Sequence, residues 1–358
     1  MARGRSVGRE VVRGYSGAPV LAVPGSHSAL QLLRGARDEG VEAVLVATRG
    51  QYEAIYSRFP WLYSRVVVLD SWGQLLSPRV LGQLRALNAV LVPHASLIEY
   101  VGAGRLLEAE LPVLGNRFLL EVEADWARKM GLLEAAGVET PRLYRDPGEA
   151  TGPVIVKLPG AKGGRGYRVV APEELPRVLE ELEAMGYRRG EVAVQEMLVG
   201  VRLYAHYFAS RVMGRVELMG MDNRLESNID GLARLPPGLV ERLGLEPSFA
   251  VVANQPMVAR ESLLAKILRY GDQFAAQVER ETGYPMIGPF SLEGVVTDRL
   301  EYKVFEFSGR IVAGTNVYMG QPSPYASLYW DTPMYMGRRV ARELRLAWER
   351  GMLEEVVT

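Results

Sequence analysis

Two glutamates, Glu293 and Glu306, stand thirteen residues apart in strand-like runs. The first run is Pro289-Phe-Ser-Leu-Glu-Gly-Val-Val, the second Glu301-Tyr-Lys-Val-Phe-Glu-Phe-Ser, with the polar turn Thr297-Asp298-Arg299 between them. Paired positions in an antiparallel hairpin share a constant index sum. A turn near Arg299 and Leu300 therefore sets Glu293 almost opposite Glu306 on one sheet face. Facing like charges are unfavourable, and a cation between them removes the penalty. Mg²⁺ fits such a pair, because it takes one or two carboxylates plus substrate phosphates; Mn²⁺ is an alternative. Two unrelated acids on a solvated face are the other reading of the hairpin alone.

A metal pair implies phosphates, and a glycine-rich segment upstream offers to hold them. Val154-Ile-Val-Lys157-Leu-Pro159-Gly160-Ala-Lys162-Gly163-Gly164-Arg165-Gly166-Tyr167 reads as strand, turn, strand. No Gly-Lys-Ser/Thr opens a helix here, so it is not a Walker loop. A glycine hairpin lets backbone N–H groups approach phosphates and move as a lid. Lys157 leads in from the strand, and Lys162 sits on the turn with Gly163 and Gly164. Lysine is scarce, at 129, 157, 162, 266 and 303 only. A lysine kept where arginine is the default base suggests a compact point charge. Lys129, on a preceding helix, is the third of the cluster. Gln195-Glu196-Met197-Leu198-Val199-Gly200 ends a strand and offers a hinge to hold an adenine by backbone groups, with Met197 and Leu198 packing on the ring; by itself it is also an ordinary strand end.

Elements that would carry these residues follow from periodicity. Residues 18 to 116 alternate strands (Pro19-Val-Leu-Ala-Val, Val44-Leu-Val-Ala, Val66-Val-Val-Leu, Ala89-Val-Leu-Val) with helices, which indicates a parallel sheet. Ligands bind such sheets at the carboxyl ends of strands. Two strand ends break at Pro24-Gly25-Ser26-His27-Ser28 and Pro93-His94-Ala95-Ser96. Each places a histidine and serines before a helix, where N–H groups suit a phosphate and where serine capping is the simpler alternative. Residues 121 to 137 read as one amphipathic helix, 142 to 200 as a small β-rich module, and 201 to about 332 as a mixed region. The tail from Met336 to Glu354 reads as an exposed helix. The expected units are 1–120 (substrate loops), 121–200 (glycine-rich lid) and 201–358 (metal carboxylates and C-terminal helix). The fold class is α/β, α+β in the C-terminal half.

Composition narrows the function. The chain has 358 residues and a formal net charge of zero, so no global field draws it to nucleic acid or an anionic membrane. No apolar run approaches the ~20 residues of a membrane span. Without cysteine there is neither a disulfide framework nor a thiolate nucleophile. A cytoplasmic enzyme is the expectation.

A parallel α/β unit, a helix lysine, a strand lysine with a glycine hairpin, a hinge acid and paired metal acids, in that order, resemble the ATP-grasp ligases. Longer motifs narrow the resemblance. Gly25-Ser-His-Ser-Ala-Leu, Pro93-His-Ala-Ser, Pro159-Gly-Ala-Lys-Gly-Gly-Arg-Gly-Tyr, Glu217-Leu-Met-Gly-Met-Asp, Glu226-Ser-Asn-Ile-Asp-Gly and Arg310-Ile-Val-Ala-Gly-Thr-Asn resemble the archaeal 5-formaminoimidazole-4-carboxamide ribonucleotide (FAICAR) synthetases from about residue 18 to 348. This implies an ATP-grasp fold behind a parallel-sheet domain. It implies that ATP, formate and 5-aminoimidazole-4-carboxamide ribonucleotide (AICAR) are joined through formyl phosphate in purine biosynthesis. His27, Ser28, Ser96 and Asn254 would hold the ribonucleotide. Lys129, Lys157, Lys162, Gly163, Gly164, Glu196, Leu198 and Glu226 would hold ATP. Glu293 and Glu306 would bind Mg²⁺ and, with Lys157, act catalytically. The resemblance also implies a trimer or hexamer. Two positions depart from the wider superfamily: Arg202 stands where an acid is common, and Ser308 where asparagine is. The rival readings are an ATP-grasp ligase for another carboxylate and amine, and a nucleotide-binding module without chemistry.

Overall fold

The structure, a computed structural model, describes residues 6–158, 167–188 and 192–358. Lys162, Gly163 and Gly164 lie outside the described residues. Three sheets organise the chain. Four runs rich in Val, Leu and Ala form a parallel sheet: β1 (Val20–Pro24), β2 (Ala43–Thr48), β3 (Arg65–Leu69) and β4 (Ala89–Leu91), in the order β3-β2-β1-β4. A parallel bridge from Leu91 to Val113 extends its edge. The neighbouring strands β1 and β4 end side by side, so the two histidine loops share one rim.

A small antiparallel sheet follows: β5 (Val154–Lys157), β6 (Tyr167–Val170) and β7 (Ala193–Glu196), ordered β6-β5-β7. Val154 and Val156 face the helix Leu175–Ala184, burying Leu175, Leu179 and Leu182 between them. The alternation leaves Ile155 and Lys157 on the other face.

The largest sheet is antiparallel: β8 (Val201–Ser210), β9 (Arg215–Asn228), β10 (Phe249–Met257), β11 (Gly288–Val296) and β12 (Tyr302–Ser308), ordered β10-β9-β8-β11-β12. The long helix Glu261–Thr282 packs Ile267, Phe274 and Val278 against Tyr207, Phe290 and Phe307. The apolar residues take that face, which leaves polar residues on the other.

Two expectations are corrected. The single helix over 121 to 137 is two helices, Leu119–Ala124 and Trp126–Ala135, because Asp125 takes extended backbone and its carboxylate accepts the Arg128 N–H as an N-cap. The tail helix, Met336–Glu349, is not exposed. It lies on the helix Ala29–Asp38, so close that a Cβ at Gly337 would come within 2.0 Å of the Gln31 carbonyl oxygen. Its charged residues look solvated in sequence but neutralise each other inside: Arg339 pairs with Glu217 at 2.8 Å and Glu343 at 2.9 Å, all three buried. No helix among the described residues is long and apolar enough to cross a membrane.

Candidate active site

The β11–β12 hairpin turns through Thr297–Glu301, with Leu300 at φ 59° and the Leu300 N–H donating to the Thr297 carbonyl. This register pairs Glu293 directly with Glu306, just before a bulge at Gly294. Across the other edge of β11, Glu293 faces Tyr204 of β8. Each acid has its own cation. Glu293, buried, accepts from the Ser308 hydroxyl at 3.1 Å and pairs with Arg224 at 2.7 Å. Glu306 pairs with Lys129 at 2.6 Å. Burial pushes the Glu306 carboxyl up, but Lys129, then Lys157 and Arg224, more than offset it and bring it down to about 2. Glu306 therefore presents anionic oxygen at neutral pH. Among the described residues no third acid or imidazole completes a metal cluster. Two hard carboxylates with room for phosphate oxygens are nonetheless a donor set that fits Mg²⁺.

A cavity of about 390 Å³ opens between the small sheet and this face, with Glu293 and Glu306 in its wall. Lys157 enters from β5, its ammonium 5.9 Å from the ring centroids of both Tyr167 and Phe305. Burial lowers its pKa to about 8, against the opposing pull of Glu306. Leu198 and Glu226 also line the cavity. Glu226 pairs with Arg202. Burial is the main reason its carboxyl titrates above the usual range, and Arg202 works the other way. The Arg202 position, noted as a departure, thus carries a counter-ion for an acid on the next strand. Glu196 lines the same cavity, but its carboxylate is clamped: both oxygens take Lys303 Nζ, at 2.9 and 3.0 Å, and one also accepts the Arg142 N–H. The clamp ties β7 of the small sheet to β12 of the large one.

The histidine loops form a second cluster. The rings of His27 and His94 stack at 5.3 Å, 9° from parallel. His94, rather than a serine, is the N-cap of its helix, Nδ1 accepting the Leu97 N–H at 3.1 Å, while the other ring nitrogen meets the Pro24 carbonyl. Ser96 lies in the first turn of that helix. Ser28 is buried, and its hydroxyl lies 2.7 Å from His27 Nδ1. His27 takes a left-handed backbone, φ 53°, and its carbonyl accepts from Asn316. Burial, then His94, Arg310 and Arg224, lower the His27 pKa to about 2; burial lowers that of His94 to about 4.

Asn254 stands on β10, opposite Arg224 of β9. Its amide donates to Asp222 at 2.6 Å; Asp222 is held at its other oxygen by buried His206, 2.8 Å away, which in turn meets Ser291. The turn Ala313–Tyr318 joins the two clusters. Asn316 contacts the His27 loop, and a Cβ at Gly314 would lie 2.5 Å from Asp222. The structure thus gathers Lys157, Glu196, Leu198, Glu226, Glu293 and Glu306 at one cavity, with Lys129 held to it through its ion pair with Glu306. His27, Ser28 and Ser96 lie on the adjoining rim, with Asn254 on the sheet beside it. Sequence reasoning gave no role to Arg224, Lys303 or Arg310. Arg224 had one available signal: it lies two residues from both Asp222 and Glu226, on the strand face those motifs share.

The fold is that of the ATP-grasp ligases. The architecture matches the ADP complex of purK, an N5-carboxyaminoimidazole ribonucleotide synthetase, with a TM-score of 0.61 at 14% identity, over 94% of this chain and 81% of that one. A crystal structure of the IMP biosynthesis protein PurP from Thermococcus kodakaraensis aligns with a TM-score of 0.75 and 29% identity, over 94% of this chain and all of that one. Residues 21–144 match a family described as a protein of unknown function (DUF1246), and residues 183–358 a domain of unknown function (DUF1297). A protein of Ignicoccus hospitalis named 5-formaminoimidazole-4-carboxamide-1-(beta)-D-ribofuranosyl 5'-monophosphate synthetase is 49% identical over 94% of this chain and 95% of its own length. The chain belongs to that synthetase family and is an ATP-dependent ligase.

Proposed function

We propose that the chain formylates AICAR to FAICAR with ATP and formate, releasing ADP and phosphate, as a step of IMP biosynthesis in the cytoplasm. The observation that carries this reading is the pairing of Glu293 with Glu306 in the wall of a cavity entered by Lys157, beside the His27 loop, in a chain so similar to named synthetases. In the first step a formate oxygen attacks the γ-phosphorus, the bond to the ADP oxygen breaks, and formyl phosphate forms. In the second the AICAR amine attacks the formyl carbon, the carbon–oxygen bond to phosphate breaks, and the amine's proton leaves with phosphate.

Each residue has a physical task. Phosphoryl transfer needs positioning and charge neutralisation rather than a protein nucleophile, in keeping with a chain without cysteine. Lys157 and Lys129 place positive charge beside the phosphates, and Leu198 packs on the base. Glu226 exchanges Arg202 for nucleotide hydroxyls, and Glu196 holds the hinge. Lys162, Gly163 and Gly164 belong to the proposed lid. Glu293 and Glu306 are the residues that would hold Mg²⁺, or Mn²⁺, which when bound neutralises phosphate charge. His27, Ser28, Ser96 and Asn254 bind the ribonucleotide. Covering the site matters because an acyl phosphate hydrolyses readily. The three proposed units are 1–120, 121–200 and 201–358, assembled as a trimer or hexamer. The test is ADP release with formate and AICAR omitted in turn. Release that depends on both is expected; release driven better by a different acid or amine overturns the assignment.

A further inference from the structure

The proposed reaction needs formate held between the γ-phosphate and the substrate amine, and none of the residues above is assigned to it. Arg224 lines the cavity and stands opposite Asn254, between the residues proposed to hold the two substrates. On β9 it is flanked at two-residue spacing by Asp222, which anchors Asn254, and by Glu226 of the nucleotide cavity. The alternation of a strand puts all three on one face. Its guanidinium sits 4.2 Å over the Tyr204 ring and pairs with Glu293 at 2.7 Å. The side chain is 21% exposed and lines the cavity.

Other cations are occupied differently. Arg202 also lines the cavity, but it stands on the nucleotide side beside Glu226 and Asp230. Arg310 is paired with Glu123 at 2.7 Å. Lys157 stands between two aromatic rings on the nucleotide side. A guanidinium has five N–H donors in a planar fork. Among the described residues the Arg224 side chain has one ion-pair partner, Glu293, so donors remain for a second carboxylate.

We infer that Arg224 is the carboxylate clamp for formate: it keeps one edge on Glu293 and offers the rest of its fork to the small acid between the two substrate halves. This inference rests on the formylation reading. Initial rates with each substrate varied test it, in the wild type and in Arg224→Lys and Arg224→Gln. Lysine still supplies a cation for Glu293 but loses the fork. It should raise the KM for formate about ten-fold or more, leave those for ATP and AICAR within about three-fold, and recover in part with added guanidinium. Glutamine should raise it further. An unchanged formate KM in Arg224→Lys, or equal rises for formate and ATP, overturns the clamp while the formylation reading stands. A wild type whose ADP release ignores formate overturns both. A wild-type crystal soaked with formate and a nonhydrolysable ATP analogue reads the same question without any variant. Formate on the Arg224 guanidinium supports the clamp, and formate elsewhere in the cavity defeats it.

Discussion

The two halves of the site handle charge in opposite ways. At the large sheet each acid is paired with a cation: Glu293 with Arg224, Glu226 with Arg202, and Glu306 with Lys129 of the helix Trp126–Ala135. At the rim of the parallel sheet, the half-buried His27 imidazole stacks on the buried His94 imidazole, and desolvation keeps both neutral at physiological pH. The contrast has a physical consequence. On the proposed function, an incoming Mg²⁺–ATP would exchange partners with groups that already stand in ion pairs. The ribonucleotide proposed to bind at the rim would meet neutral imidazoles, with the positive charge of Arg224 and Arg310 nearby.

The largest effect should come from removing charge where charge is the device. Glu306→Gln keeps the side chain's shape but removes the carboxylate paired with Lys129. Formation of ADP should fall by about 10²–10³-fold, the scale of losing one preorganised electrostatic group. A Glu306→Gln enzyme within a few-fold of wild type would break the contrast, since the sheet's charge would then be structural only.

Lys157 sharpens the same side through pH. Its folded pKa is lowered to about 8, so its ammonium is present below that value and lost as pH rises through it. For the free enzyme, kcat/KM for ATP should therefore decline above pH about 8. Lys157→Arg should move that decline upward, because a guanidinium stays protonated there. A profile identical in both proteins would assign the limb to another group.

Much of this site was legible in the chain because local rules sufficed. A short turn and an index sum place Glu293 opposite Glu306, and strand breaks before helices mark the His27 and His94 loops. What was not legible depends on pairings distant in sequence. Arg224 meets Glu293, and Lys303 meets Glu196, only once the strands are ordered β9-β8-β11-β12 beside the small sheet. The tail helix misled for a related reason. Arg339 and Glu343 look like surface residues until Glu217 of β9 is packed against them. Asp125 ends one helix and caps the next, a choice that an amphipathic pattern does not reveal.

The neutral half is tested by stability at acid pH. His94 has a folded pKa near 4 against an ordinary value of 6.5. The unfolded chain therefore binds the proton first. Stability is fully present above about 6.5 and declines as pH falls toward 4, by roughly 3 kcal/mol if the whole shift is expressed. In His94→Gln the slope of melting temperature between pH 6.5 and 4 should be shallower than in the wild type, even though losing the cap lowers stability at every pH. An unchanged slope would mean that the imidazole is not held neutral.

The smallest expected effect lies where the halves meet. Asp222 accepts from His206 with one oxygen and from Asn254 with the other. In Asp222→Asn, one of those positions becomes an NH₂ group. Either His206 or Asn254 then faces a donor and must turn its ring or amide. If Asn254 turns, its remaining polar atoms no longer point where the ribonucleotide is proposed to bind. The loss is about one hydrogen bond, roughly 1 kcal/mol, or some five- to ten-fold in the KM for AICAR. The KM values for ATP and formate should move little, because Lys157, Glu306 and Arg224 keep their partners. Equal rises for all three substrates would show that Asp222 supports the whole sheet rather than the Asn254 amide. The two halves would then be coupled through packing, not through this one carboxylate.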